Sequence, residues 1–136
     1  MKISTENPPH NIRELCEVNF DLKNKKPVFT FGDTIYNPHN GVLDIALLEH
    51  EKLHSIQQGK KPVEWWYRYF QESEFRFDQE LEAYRVQYKV ASKNIKGKNQ
   101  HFEFLKMIAK DLSDGMYGNT CSFYKAMELI KNKDYA

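Results

Sequence analysis

Between Val63 and Ile95 the chain carries neither Gly nor Pro. A breaker-free stretch of that length is too long for a strand and predicts helix, bent or broken near Glu72-Ser73-Glu74. Pro62 suits its first turn, and Gly97 marks its end. Upstream, Leu43, Leu47, His50 and His54 fall at spacings of three and four, which predicts a second helix. Gln57-Gln58-Gly59 closes that helix, with Gly59 as the residue past its end. Phe102 to Leu112 and Ser122 to Ile130 read as two further helices. Gly115 and Gly118 lie between them, and Asn119 or Thr120 is the candidate N-cap of the last.

The amino-terminal third has a different period. Val18-Asn19-Phe20-Asp21-Leu22 alternates apolar and polar residues, like a strand. Val28 to Phe31 and Thr34 to Tyr36 carry β-branched and aromatic residues around the punctuation Gly32-Asp33. These segments predict a small antiparallel sheet. Residues 1–12, with Pro8-Pro9, read as a loose arm. The expected fold is therefore α+β: one mainly helical domain over residues 1–136, its small amino-terminal sheet packed on the helix that follows Leu43. A chain of 136 residues is long enough for one hydrophobic core and no more.

A formal net charge of +1 leaves no electrostatic footprint for nucleic acid. The short basic runs at Lys23 to Lys26, Lys93 to Lys98 and Lys131 to Lys133 read as solvated surface. Cys16 and Cys121 are too few and too distant in sequence to make a disulfide framework, and they read as small buried hydrophobes. Neither an apolar leader nor a run long enough to span a membrane is visible, so a soluble cytoplasmic protein is expected, without membrane partners.

His50-Glu51-Lys52-Leu53-His54 is a complete H-E-x-x-H. On a helix its imidazoles sit one turn apart on one face, with Glu51 beside them. That arrangement suits Zn2+ and sets a carboxylate next to a water on the ion. A catalytic zinc site takes three protein ligands. A third histidine in the pattern H-E-x-x-H-x-x-G-x-x-H is excluded, because Gln57 and Lys60 stand at those positions. The segment Asp78-Gln79-Glu80-Leu81-Glu82-Ala83-Tyr84 supplies carboxylates instead. Glu80 shares a helical face with Ala83, Tyr84 and Gln87, and Ala83 would let its helix approach closely. Glu82 points about 200° away. Glu80 is therefore preferred over Glu82, with Glu72, Glu74 and Asp78 more remote. The remaining carboxylates read as a solvated face pairing with Arg76 or Arg85.

His50-Glu51-x-x-His54 followed by Glu80-x-x-Ala83-Tyr84 resembles a gluzincin-type zinc metallopeptidase. His54-Ser55-Ile56-Gln57-Gln58 is similar to the active-site helix of short phage and bacterial zincins. The resemblance covers roughly residues 28–90. It implies a zincin-like fold with His50, His54 and Glu80 as zinc ligands. It also implies a peptide or protein substrate, with Glu51 as the general base that takes a proton from water and returns it to the leaving amine. One position departs from the pattern: many gluzincins carry Asp four residues after the ligand glutamate, and here that residue is Tyr84. Support for the ligand histidines must then come from elsewhere.

Such chemistry uses a second oxyanion donor, for which Tyr117 and His101 are the candidates. An extended substrate is expected to pair with the sheet edge around Phe29 to Tyr36. The aromatic run Trp65-Trp66-Tyr67, with Tyr69, Phe70, Phe75 and Phe77, reads as core packing between helices, and His10 and His39 as surface residues. A zinc-binding but non-proteolytic interaction module on the same fold is the alternative. Deformylase-type chemistry would need a cysteine ligand, and Glu14-Leu15-Cys16-Glu17 does not match its motif.

Overall fold

The computed structural model describes residues 1–22, 25–114 and 121–132. Its elements run β1 (Lys2–Ser4), α1 (Ile12–Asn19), β2 (Phe29–Phe31), β3 (Thr34–Tyr36), α2 (Ile45–Gln58), α3 (Pro62–Gln71), α4 (Ser73–Asn94), α5 (Lys98–Leu112) and α6 (Phe123–Lys131). The expected α+β class holds, with helices predominating. None of the described helices is long and apolar enough to cross a membrane.

The amino-terminal region corrects two expectations. Val18 to Leu22 is not a strand: α1 runs through Val18 and Asn19, and Phe20 is its C-cap residue. Ile12, Cys16 and Phe20 are buried at a spacing of four, whereas Val18 is 82% exposed. A helical period over the longer window therefore overrides a five-residue alternation. Residues 1–12 are not a loose arm throughout either. Lys2–Ser4 forms β1, which pairs parallel to β3 with Ile3 opposite Ile35. The sheet is thus mixed rather than antiparallel, in the order β1-β3-β2. β2 and β3 form a hairpin in which Gly32, at φ 61°, takes the first position of a two-residue turn.

The helix boundaries follow local chemistry. The Asp44 side chain accepts a hydrogen bond from the Leu47 N–H at 2.9 Å and starts α2. Gly59, at φ 58°, ends it and donates its N–H to the Ser55 and Ile56 carbonyls. Pro62 opens α3, and the extended backbone of Glu72 separates α3 from α4 at the expected break. α5 starts at Lys98, earlier than Phe102, directly after Gly97 at φ 95°. The last helix is capped by Ser122, whose hydroxyl accepts from the Lys125 N–H at 3.2 Å. Asn119 and Thr120, the candidate caps, lie outside the described residues.

α2 is the central element. It packs on α4 along one side and on β2 along another. Ala83 of α4 is fully buried and Ala46 of α2 nearly so. Small side chains at such positions let helix axes approach. Trp65, Trp66, Tyr69, Phe77, Leu81, Ile108, Leu112 and Leu129 belong to one apolar core drawn from α3, α4, α5 and α6. The expectation that the aromatic run is mainly core packing holds, with Tyr67 exposed as the exception.

Candidate metal centre

Helical spacing on α2 sets His50 and His54 on the face that meets α4, and α4 presents Glu80 to them. Glu80 Oε1 lies 2.6 Å from His54 Nε2 and 3.2 Å from His50 Nε2. Each of the three residues is 5% exposed. One potential ligand atom from each lies within 4.8 Å of the other two, a cluster able to hold a metal ion. Glu82, Glu72, Glu74 and Asp78 are all exposed and take no part in it.

The support that Tyr84 does not supply comes from carboxamides. His50 Nδ1 lies 2.9 Å from Gln87 Oε1, and His54 Nδ1 lies 2.8 Å from Gln57 Oε1. The Gln57 amide is itself oriented, because its Nε2 donates to the Gln79 carbonyl at 3.0 Å. Its oxygen therefore faces the imidazole and accepts from Nδ1–H. With Nδ1 protonated, the neutral ring keeps its Nε2 lone pair free for a metal. Glu80 is held in the same way, since the Tyr69 hydroxyl donates to Oε2 at 3.0 Å and leaves Oε1 toward the imidazoles. The Tyr84 ring stands edge-on to His50 with centroids 4.7 Å apart, and Trp65 tilts against His54 at 5.3 Å. Tyr84 thus supports the site by ring packing instead of by charge. Sequence reasoning assigned Gln57 and Gln87 no supporting role. The available signals were weak: a helical neighbour of His54, and a residue on the Glu80 face of α4.

Burial and charge work against each other here. Burial would lower the His54 pKa, but the charge of Glu80 and its hydrogen bond outweigh burial and raise it to about 9. Burial would raise Glu80, yet His54 and His50 hold it well below the usual carboxylate range. Burial pushes the Glu51 carboxyl up, partly offset by the two histidines. Glu51 Oε2 is 3.6 Å from His50 Nε2, beyond a hydrogen bond, while its Oε1 lies 3.1 Å from the Thr30 hydroxyl.

A cavity of about 300 Å³ opens onto this cluster. His50, Glu51, His54 and Glu80 line it together with Phe29, Thr30, Trp65, Tyr84 and Ile108. Cys16 also lines it, buried, and burial pushes its thiol up to about 12, which removes it as a nucleophile at neutral pH. Tyr117, the candidate oxyanion donor, lies outside the described residues. His101 does not line the cavity; its Nε2 meets the Ile95 carbonyl at 2.6 Å, across the junction that opens α5. His10 and His39 are exposed, as expected.

No family model, curated protein or solved structure matches this chain. Its candidate site therefore stands on its own geometry: a buried His-His-Glu cluster able to hold a metal ion.

Proposed function

We propose that the chain is a zinc-dependent metallopeptidase of gluzincin type, hydrolysing a peptide or related amide bond. The observation that carries the proposal is the convergence of the His50 and His54 Nε2 atoms on one oxygen of Glu80, with the Glu51 carboxylate beside them. The donor set fits the ion. Two imidazole nitrogens and one carboxylate, without a thiolate, suit Zn2+ and leave a coordination position open. Oriented carboxamides behind both imidazoles are the support such ligands need.

When bound, zinc supplies an acidified water and polarises the scissile carbonyl. The chain's own residues do the rest. Thr30 anchors Oε1 of Glu51, so Oε2 is the oxygen that takes a proton and returns it to the leaving amine. Burial brings the Glu51 carboxyl closer to the range a general base requires. Tyr69 keeps Glu80 in register with the histidines.

Metal analysis and hydrolysis assays on the same preparations test this reading. Wild type should bind about one zinc per chain and cleave peptides. Glu51→Gln should keep the metal and lose cleavage. Full activity in that variant would remove Glu51 from the mechanism. Metal without cleavage of any amide would favour the non-proteolytic module.

A further inference from the structure

An extended polypeptide can bind by adding a strand to an exposed sheet edge. β2 is the edge strand beside α2, and its outward main-chain groups can be assigned from the pairing. Phe29 and Phe31 face β3, so Thr30 points outward, and Gly32 follows it at the hairpin. The protein's own side chains already cover three of these groups, the Thr30 carbonyl and the N–H and carbonyl of Gly32. The Thr30 carbonyl accepts from Gln58 Nε2 at 2.7 Å and from Trp66 Nε1 at 2.9 Å. The Gly32 N–H donates to Gln58 Oε1 at 2.7 Å, and its carbonyl accepts from the Ser55 hydroxyl at 2.6 Å. Gln58 and Trp66 are themselves buried, so this cover is part of the packing of α2 and α3 against the sheet. The expected pairing of substrate with this edge is closed off at the Thr30 carbonyl and at Gly32.

The cavity remains. Its volume of about 300 Å³ stands at the small end of ligand pockets, which span about 300–1,000 Å³. Phe29, Trp65, Tyr84, Met107 and Ile108 give it mainly apolar walls around the His-His-Glu cluster, with Lys25, Lys26 and Asp111 also in its lining. We infer that the cavity takes a short apolar peptide or N-acyl amide, held by side-chain burial, and not an internal stretch of a long chain held by main-chain pairing. This names the substrate class of the proposed hydrolase and rests on that reading.

The test is a length series. Capped apolar peptides, from dipeptide to octapeptide, are titrated calorimetrically into zinc-loaded Glu51→Gln protein, and wild-type cleavage of the same series is measured in parallel. Affinity should reach its plateau by the tripeptide, and octapeptides should gain less than about tenfold over it. Affinity that climbs with each added residue, or no binding of the short peptides, would overturn the inference. Cleavage of long chains with climbing affinity would leave the peptidase reading in place while removing this one. Short-peptide binding without wild-type cleavage would remove the peptidase reading, and the substrate assignment with it.

Discussion

Gln87 stands about two turns beyond Glu80 on α4, and its Oε1 lies 2.9 Å from Nδ1 of His50. One helix thus supplies both a carboxylate for the candidate metal cluster and the group that orients one of its histidines. The buttress is a neutral amide, so it sets the ring's orientation without adding a second negative charge. Gln87→Ala should weaken zinc binding by about 10–100-fold, and Gln57→Ala should do the same through His54. Gln87→Glu should tighten it, because a carboxylate makes the imidazole a stronger donor. Competition with a chromophoric chelator measures all three.

Removing a ligand has a larger effect than removing its support. Glu80→Gln, His50→Ala and His54→Ala should each take zinc content well below the roughly one ion per chain expected of the wild type. Glu82→Gln should leave it unchanged, since that side chain is exposed on the far face of α4. Elemental analysis after dialysis reads the outcome. Equal metal loss in Glu82→Gln would show that the wrong carboxylate has been assigned.

Glu51→Gln should lower kcat by about 10²–10⁴-fold with zinc content intact, as expected for loss of general-base catalysis. Thr30→Val should give a smaller fall in kcat with unchanged metal, because Glu51 loses its anchor while keeping its charge. Steady-state kinetics on a cleaved peptide, paired with metal analysis, separates the two effects.

The pH dependence of the metal-free protein follows from opposite shifts in one ion pair. His54 is raised from 6.5 to about 9, so its contribution to stability is fully present below about 6.5 and is lost as pH rises through about 9. Glu80 is lowered from 4.5, so its contribution is present above about 4.5 and is lost as pH falls through its lower folded value. The Tm of chelator-treated protein should therefore be highest between those limits and fall on the alkaline side. Zinc must displace the His54 proton, so zinc affinity should rise by up to about tenfold per pH unit below pH 9. Calorimetry with and without chelator checks both signs.

Ala83 is fully buried on the α4 face that also carries Glu80. Ala83→Leu should overpack the interior, costing about 1–3 kcal/mol and moving Glu80 away from the histidines. Lower Tm together with weaker zinc binding is expected. Loss of stability alone would mean that the helices separate without disturbing the cluster.

The identity of the cluster was legible in short-range spacing. His50 and His54 share a face because they are one helical turn apart, and the same geometry favoured Glu80 over Glu82, a choice that the folded cluster decides. The break before α4, the end of α2 at Gly59 and the start of α3 at Pro62 were equally local. The strand expected at Val18 to Leu22 failed because a brief alternation competed with the longer spacing of Ile12, Cys16 and Phe20. β1 was missed because parallel pairing with β3 joins residues remote in sequence, and a three-residue strand carries almost no pattern of its own.

What the chain by itself determined is which side chains share a face, because that depends only on the rise and turn of each helix. Which faces meet was decided by the folded molecule. Gln87 behind His50, Gln57 held between His54 and the Gln79 carbonyl, and Gln58 with Trp66 over the edge of β2 all arise where separate elements pack together. Contacts of that kind depend on long-range burial and on the pairing of buried polar groups, and neither leaves a periodic trace in the sequence.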